Sequence, residues 1–337
     1  MLRSATNKYP YGDRDLSHKI AVLDGYTLNP GDISWEKFEQ IGKLTLHERT
    51  PLGQIISRSR GHDAILTNKV PLTAETFDEL PELKYVGALS TGYDVVDVQA
   101  AADRNIIVTN VPTYGTNSVA QHATALMLEL IRHVALHSQS VKEGKWTTNK
   151  DWCYALAPIE ELTDKTLAIV GIGRIGRTFA RIGAAMGMRL IAHDEYWPAA
   201  EQMEGLEVES VELDEVFRCG DAISLHCPLT PATDRLVNAQ RLAMMKPTAI
   251  LINTSRGPLI DNQDLADALR NGVIAGAGVD VLDVEPPPAD HPLIGAPNCF
   301  VTPHISWYAR GARQRLMDIA ADSYKAFLDG NPINVVN

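Results

Sequence analysis

The chain has 337 residues, 45% hydrophobic and 22% charged, which is ordinary composition for a globular protein and length enough for two domains. A formal net charge of −11 disfavours nucleic acid and anionic membranes as partners, and no apolar stretch is long enough to span a bilayer. The 4 cysteines lack a Cys-x-x-Cys spacing, which fits neither a disulfide framework nor a zinc site and favours the reducing cytoplasm.

The N-terminal segment, residues 1–18, is polar and lacks the apolar region of a signal peptide. Tyr9 and Tyr11 could anchor it as a surface arm, and a loosely held tail is the alternative. Neither possibility assigns the segment a function.

Short apolar runs in the first third of the chain predict buried parallel strands, because they are rich in Ile, Val and Leu and lack polar alternation. These runs span residues 19–24, 63–68, 83–89 and 105–110. Helices are predicted between them at 71–80 and 94–105. The stretch 116–144 predicts one long apolar helix, with Gly144 as its stop, buried between domains or between subunits.

Six further apolar runs alternate with helical patterns and predict a second doubly wound sheet. They span residues 166–172, 189–194, 221–227, 249–255, 276–282 and 299–304, and a last helix follows at about 306–329. The predicted fold class is α/β, with two Rossmann-like doubly wound parallel-sheet domains and a cleft between them as the expected ligand site. The order predicts a nested layout: residues 1–111 and 305–337 form one domain, and residues 112–304 form a domain inserted into it.

A glycine-rich turn, Gly171-x-Gly173-x-x-Gly176, lies between an apolar strand and an amphipathic helix. The next strand ends at Asp194, at the spacing expected of a ribose-binding acid in a dinucleotide fold. The glycines let a pyrophosphate approach the backbone at a helix N-terminus, and Asp194, with Glu195 beside it, would repel a 2′-phosphate. The turn therefore predicts NAD(H) rather than NADP(H), and a purely structural glycine turn is the alternative.

Arg256, Glu285 and His304 each end or closely follow a strand of the second set, where ligands bind in open parallel sheets. Together they suit hydride transfer to a 2-keto acid, with nicotinamide as the hydride carrier. Arg256 can hold a carboxylate or carbonyl by paired hydrogen bonds, and His304 can exchange a proton with the carbonyl oxygen. Glu285 can orient the imidazole and favour its protonated form. Taken singly, the Arg is more often a surface ion pair and the His a satisfied structural group.

At these residues the chain resembles the D-isomer-specific 2-hydroxyacid dehydrogenases, from about Lys19 to the C-terminus. The matching stretches are "GIGRIG", "HCPLTPATDRLVN", "INTSRGPLID", "GAGVDVLDVEPP" and "TPHISW". Within the family it is most similar to the glycerate dehydrogenase (hydroxypyruvate reductase) branch, through "TNKVPLT", "STGYDVVD", "NVPTYGTNSVAQH", "HSQSVKEGKW" and "HISWYARGARQRL".

The resemblance implies a role for each matching position. Arg256, Glu285 and His304 match the family's catalytic residues. The implied cofactor-binding residues are Gly171, Gly173, Arg174, Ile175, Gly176, Asp194, His226, Cys227, Pro228, Thr233, Thr254 and Asp280. The implied substrate-binding residues are Ser90, Thr91 and Gly92, which hold the substrate carboxylate through N–H groups, with Arg256 and with Asn68 and Trp307 at the pocket wall. The first domain would then be the flavodoxin-like substrate-binding domain, and the chain a cytoplasmic homodimer that uses the long helix at its interface.

Two functions stay open on these grounds. The first is an NAD(H)-dependent dehydrogenase for hydroxypyruvate and D-glycerate, with glyoxylate and glycolate next and larger 2-hydroxy acids after them. The second is an NAD(H)-gated binding protein similar to the C-terminal-binding corepressors, which share the fold and the catalytic residues. No metal site is expected, because His133 and His137 stand four residues apart on the long helix but lack the Glu of a zinc-binding His-Glu-x-x-His sequence.

Overall fold

The computed structural model describes residues 18–337, so the prediction for Tyr9 and Tyr11 lies outside the described residues. The chain divides into two compact units, one of Met1–Gly115 with Arg310–Asn337 and the other of Thr116–Ala309. Each unit contains one parallel sheet with helices connecting its strands, and the predicted fold class is confirmed.

The sheet of the first unit has five parallel strands in the order β2-β1-β3-β4-β5, which is the flavodoxin-like order. The strands are β1 (Lys19–Val22), β2 (Lys43–Leu46), β3 (Ala64–Thr67), β4 (Tyr85–Ala88) and β5 (Ile107–Thr109). The helices are α1 (Gly25–Leu28), α2 (Glu36–Glu39), α3 (Ile55–Ser59), α4 (Ala74–Asp78) and α5 (Val98–Ala102), and a 3-10 turn spans Leu52–Gln54. Strand β2 was not predicted, because its place at the sheet edge leaves it partly exposed and its sequence carries no buried apolar run.

The C-terminal helix, α12 (Arg310–Leu328), belongs to the first unit and packs against β4. An aromatic cluster makes this contact: the Tyr85 ring lies 4.9 Å from the Tyr324 ring and 5.0 Å from the Phe327 ring, centroid to centroid. Tyr85 and Tyr324 are fully buried, so the cluster fills the space between α12 and β4. The first unit is thus completed by the last helix of the chain.

The sheet of the second unit has seven parallel strands in the order β12-β11-β10-β9-β6-β7-β8, the Rossmann order with one added strand. The strands are β6 (Thr166–Val170), β7 (Arg189–His193), β8 (Glu209–Ser210), β9 (Ala222–Leu225), β10 (Ile250–Asn253), β11 (Gly276–Val279) and β12 (Cys299–Val301). The helices are α6 (Thr116–Arg132), α7 (Val134–Lys142), α8 (Arg174–Ala185), α9 (Leu213–Cys219), α10 (Ala239–Leu242) and α11 (Asn262–Arg270), with 3-10 turns at Ala200–Met203 and Gly257–Leu259. The two-residue strand β8 was not predicted.

The predicted long helix is two helices, α6 and α7, because His133 adopts a left-handed backbone conformation with φ of 50°. His is one of the residues that tolerate this region, and the Glu129 carboxylate accepts the Ala135 N–H at 3.1 Å, which satisfies the start of α7. Helix α6 packs inside the second unit, on α8 and on β11, where a Cβ at Gly276 would lie 2.7 Å from a Leu130 methyl carbon. None of the helices within residues 18–337 is both long enough and apolar enough to cross a membrane.

Candidate active site

The crevice of the second sheet opens between β6 and β9, where the strand order reverses and dinucleotides bind in such folds. Gly171 follows β6 with φ of 94°, and a Cβ there would lie 2.5 Å from the Cys227 backbone nitrogen. The Gly171 N–H also donates to the His193 carbonyl at 2.8 Å. The residues after β6, β7 and β9 are therefore held together by backbone contacts that only glycine permits.

The other two glycines of the turn have different surroundings. A Cβ at Gly176 would lie 2.1 Å from the Gly171 carbonyl oxygen, so this glycine lets α8 pack against the turn. A Cβ at Gly173 would have no atom within 4 Å, although Gly173 precedes the first residue of α8. Open space beside backbone N–H groups at a helix N-terminus fits a pyrophosphate, so the residues present fit the predicted dinucleotide.

Asp194 ends β7 beside this turn, and its carboxylate is already oriented. Oδ2 accepts the Ile172 N–H at 2.7 Å, and Oδ1 accepts the Tyr196 N–H at 2.9 Å. Each carboxylate oxygen keeps a lone pair, so the fixed carboxylate can still accept ribose hydroxyl protons. Arg174 and Ile175 occupy the first turn of α8, with Arg174 exposed and Ile175 half-buried.

In the segment after β9, the side chains of His226 and Cys227 do not change protonation state near neutral pH. Burial lowers the pKa of His226 to about 4, and its Nε2 lies 2.9 Å from the Ser224 hydroxyl, so the ring is neutral and turned into the unit. Burial, with the nearby acids, raises the pKa of Cys227 to about 11, so this thiol is no nucleophile at neutral pH. The Thr233 hydroxyl donates to the Pro228 carbonyl at 2.8 Å and accepts the Thr230 N–H, which folds the exposed loop.

Arg256 follows β10, and a buried amide shapes the turn that carries it. Asn253 Nδ2 donates to the Arg256 carbonyl at 2.8 Å, and Asn253 Oδ1 accepts the Ser255 N–H at 3.0 Å. Arg256 Nη1 donates to the Ser255 carbonyl at 2.8 Å. Within residues 18–337, no carboxylate forms an ion pair with Arg256. Its half-buried charge is therefore available to an anionic ligand.

His304 and Glu285 are in direct contact, with 2.6 Å between Nδ1 and Oε2. The other carboxylate oxygen of Glu285 accepts the Leu282 N–H at 3.0 Å, so the side chain is fixed at both oxygens. His304 has φ of 53°, a left-handed conformation that is costly for a residue with a Cβ and concentrates at functional sites. With Nδ1 on a carboxylate, Nε2 is the ring nitrogen left for a ligand.

The buried carboxylate of Asp280 holds the chain on both sides of His304. Oδ1 accepts the Thr302 hydroxyl at 2.6 Å and the Ile305 N–H at 2.9 Å, and Oδ2 accepts the Ser306 N–H at 2.8 Å. The Asp280 carbonyl accepts the His304 N–H at 2.8 Å. Asp280 therefore fixes the backbone of His304. Its implied contact with the cofactor stays a prediction.

A close backbone approach joins the Arg256 turn to the Glu285 segment. A Cβ at Gly257 would lie 1.9 Å from the Leu282 carbonyl carbon and 2.4 Å from the Asp283 nitrogen. Only glycine fits there, so the three predicted catalytic residues are brought together by backbone packing and by the Glu285–His304 contact. Near them the Thr254 hydroxyl is buried without a hydrogen-bond partner among the described residues, as expected of an atom that a ligand satisfies.

The predicted substrate-binding residues of the first unit lie after β3 and β4. The Asn68 and Lys69 N–H groups donate to the two carboxylate oxygens of buried Asp24, at 2.9 and 2.6 Å. The Ser90 hydroxyl donates to the Gly92 carbonyl and the Thr91 hydroxyl to the Val111 carbonyl.

In the second unit, Trp307 makes an edge-to-face contact with Tyr308, 5.2 Å between centroids. The structure brings the three predicted catalytic residues together but does not by itself assign substrate roles to Asn68, Ser90, Thr91, Gly92 or Trp307, which stay predictions.

Two positioning residues were missed at the sequence level: Asn253 and Asp24. A polar residue at the end of an otherwise apolar strand was the available signal for Asn253 and Asp24. The His137 ring is held by the backbone, since its Nδ1 lies 2.8 Å from the His133 carbonyl and its Nε2 accepts the Leu156 N–H at 3.0 Å. Within residues 18–337, no three His, Cys, Asp or Glu side chains are grouped to hold a metal ion.

Comparison with known proteins agrees with this geometry. A family model described as "D-isomer specific 2-hydroxyacid dehydrogenase, NAD binding domain" matches residues 124–306, more than half of the chain. A hydroxypyruvate reductase of Blautia hydrogenotrophica is 49% identical over 322 residues, which cover 95% of this chain and 99% of the relative. A glycerate dehydrogenase of Methylorubrum extorquens is 40% identical over 324 residues, 95% of this chain and 99% of that protein.

Among solved structures, one of an NADPH-dependent glyoxylate/hydroxypyruvate reductase from Sinorhizobium meliloti, in complex with NADP and malonate, superposes with a TM-score of 0.79. It is 30% identical, and the alignment covers 95% of this chain and 96% of that chain. The comparisons and the turn geometry together establish a nicotinamide dinucleotide as the cofactor.

The different surroundings of two glycines in the turn give a matched pair of variants. Gly176→Ala should lower the free energy of unfolding by about 1–3 kcal/mol, because the added methyl group overpacks the Gly171 carbonyl. Gly173→Ala should keep the thermal midpoint but weaken NADH binding by about tenfold, or roughly 1.4 kcal/mol, because its methyl group occupies the open space. Thermal unfolding and NADH fluorescence titration measure both. Wild-type NADH affinity in Gly173→Ala would contradict the assignment.

Proposed function

Because the chain belongs to the D-isomer-specific 2-hydroxyacid dehydrogenases, we propose that it interconverts hydroxypyruvate and D-glycerate with NAD(H). Glyoxylate and glycolate are the second pair. The observation that carries the proposal is the 2.6 Å contact between His304 Nδ1 and Glu285 Oε2, beside an Arg256 whose charge has no carboxylate partner within residues 18–337. The similarity to proteins named hydroxypyruvate reductase and glycerate dehydrogenase supports this substrate class.

The cofactor is proposed to lie along the glycine turn of the second unit. The N–H groups at the start of α8 bind the pyrophosphate, and the Asp194 carboxylate accepts the ribose hydroxyls. The buried, unpartnered Thr254 hydroxyl supports a ligand at the end of β10. When bound, the nicotinamide ring supplies the hydride in reduction and accepts it in oxidation.

His304 is proposed as the acid and base. Glu285 accepts from Nδ1 and orients the ring, so Nε2 can donate a proton to the keto oxygen during reduction and recover it during oxidation. Asp280 holds the backbone on both sides of His304, so the ring needs no large rearrangement before proton transfer.

Arg256 is proposed to bind the substrate, because a planar guanidinium can hold a carboxylate or a carboxylate and a carbonyl by paired hydrogen bonds. The Ser90–Gly92 loop is proposed to bind the substrate carboxylate through its backbone. In support, the Thr91 and Gly92 N–H groups donate to no other described residue. Asn68 and Trp307 remain proposed members of the pocket wall.

A panel of 2-keto acids tests the substrate proposal. We expect hydroxypyruvate with NADH to give the highest kcat/KM, glyoxylate a lower value, and larger keto acids lower values still.

His304→Ala should lower kcat roughly 10²–10⁴-fold, because proton transfer is lost, while NADH binding stays unchanged. Steady-state kinetics and NADH fluorescence titration measure these quantities. A larger keto acid with a higher kcat/KM than hydroxypyruvate would refute the proposed substrate. Unchanged turnover in His304→Ala would refute the acid–base role.

NADH is proposed as the preferred cofactor, because Asp194 would repel a 2′-phosphate. Asp194→Ala should lower the ratio of kcat/KM for NADH to that for NADPH by about tenfold, equal to the loss of roughly 1.4 kcal/mol of discrimination. Glu209→Ala, at an exposed carboxylate of strand β8, is the control and should leave the ratio unchanged. An unchanged ratio in Asp194→Ala would refute the ribose assignment.

A homodimer is proposed from the segment that includes α7 and the loop after it. Large apolar side chains lie exposed there, namely Val134, Leu136, Val141, Trp146, Trp152, Leu156 and Ile159. Hydrogen bonds order the segment, since Trp146 donates to the Trp152 carbonyl at 2.9 Å and Tyr154 contacts Ser140 at 2.7 Å. Several large exposed apolar side chains on one ordered segment favour a subunit interface, and a second copy of the chain is the proposed partner.

Light scattering after size exclusion should give about twice the chain mass of 36.9 kDa for the wild type. Trp152→Glu should halve that mass, because the 86%-exposed Trp152 lies within the apolar segment. Leu52→Glu is the matched control, since Leu52 is 71% exposed in the other unit, and should leave the mass unchanged. A monomeric wild type would refute the dimer.

The cytoplasm remains the proposed compartment, and the 4 free cysteines agree with it.

A further inference from the structure

A second histidine–carboxylate contact lies in the segment that carries Glu285. The His291 side chain is 4% exposed, and its Nε2 lies 2.8 Å from Asp283 Oδ1. The Leu293 N–H donates to His291 Nδ1 at 3.3 Å, so Nδ1 is an acceptor and Nε2 carries the ring proton. The two contacts therefore hold the ring in place, with Nε2 toward Asp283.

Asp283 links this histidine to Glu285. Its Oδ1 also accepts the Val284 N–H at 3.0 Å. Its backbone nitrogen packs closely against Gly257, where a Cβ would lie 2.4 Å from it. The preceding residue, Leu282, donates its N–H to Glu285 Oε1. Burial opposes ionisation of Asp283, but hydrogen bonds led by that from His291 outweigh it and hold its pKa below the usual value.

We propose that His291 and Asp283 are positioning residues that hold the segment 282–285 so that Glu285 stays against His304. The inference rests on the proposed function, because it assigns a role to residues that act through the proposed acid–base pair. A chain of contacts runs from the His291 ring to the Asp283 carboxylate, through the backbone at Leu282 to the Glu285 carboxylate, and from there to His304 Nδ1. Neither positioning residue needs to touch substrate or cofactor.

The split between turnover and cofactor binding separates this role from a general effect on stability. Proton transfer by His304 depends on Glu285 at Nδ1, so displacing Glu285 should lower kcat for keto-acid reduction. NADH binding does not use this pair, so the Kd of NADH should stay unchanged. A loss of folded protein instead lowers the fraction of the protein that binds NADH.

His291→Leu removes the donor, and Asp283→Ala removes its acceptor at a side chain that is 45% exposed. Both should lower kcat for hydroxypyruvate reduction by about tenfold, a part of the roughly 10²–10⁴-fold that proton transfer contributes, with the Kd of NADH unchanged. Asp283→Asn loses the charge but keeps an oxygen for His291, so it should lower kcat by less than about threefold. Asp214→Ala, at a 42%-exposed carboxylate of the same unit, is the matched control and should not change kcat.

The Glu285→Gln background completes the test. There kcat is already lowered, and His291→Leu or Asp283→Ala should add no further loss. An unchanged kcat in folded Asp283→Ala would overturn the proposal, as would equal losses in Asp283→Ala and Asp283→Asn or a loss that persists in Glu285→Gln. If His291→Leu does not fold, the Asp283 variants decide alone. A wild-type enzyme inactive on every 2-keto acid would instead refute the proposed function.

Discussion

The close contact between Gly257 and the backbone of Leu282–Asp283 is the constraint on which the candidate site depends. It fixes the turn after β10 against the segment after β11, so Arg256 and Glu285 are placed by main-chain packing rather than by flexible side chains. The Leu282 N–H then orients Glu285, and Glu285 orients His304. Geometry set by backbone contacts is more rigid than geometry set by long side chains, which suits the proposed role of His304 as a proton donor.

Along one edge of its sheet, the second unit presents mainly backbone groups at one place and side chains at another. At the β6–β9 crevice, burial keeps the His226 ring neutral and the Cys227 thiol protonated, so N–H groups and the Asp194 carboxylate are the groups proposed to bind the cofactor. At the ends of β10, β11 and β12, the presented groups are instead charged or titrating: Arg256, Glu285 and His304. Glycine close contacts support both halves, because each lets one loop rest directly on another.

The sequence predicted the features that depend on local pattern and on topology. Strands such as β6 and β10 were predictable because burial on both faces requires continuous apolar runs, and strand ends share one edge in a parallel sheet, which identified Arg256, Glu285 and His304. Strand β2 at the exposed edge carries no such run. The break at His133 has no Gly or Pro to signal it, and depends on the Glu129 carboxylate reaching Ala135. The burial of Asp280 and the pairing of His291 with Asp283 follow from three-dimensional packing, which spacing along the chain does not report.

The nested order of the two units has a consequence for synthesis on the ribosome. The core of the first unit requires Tyr85 and Tyr324 in contact, yet every residue of the second unit is translated between them. At roughly 5–20 residues per second, the first sheet waits on the order of ten seconds or more without its last helix. The second unit is contiguous in the chain and can fold during that interval. The nascent protein can therefore have its cofactor-binding unit complete while the surface of β4 that α12 will cover is still open.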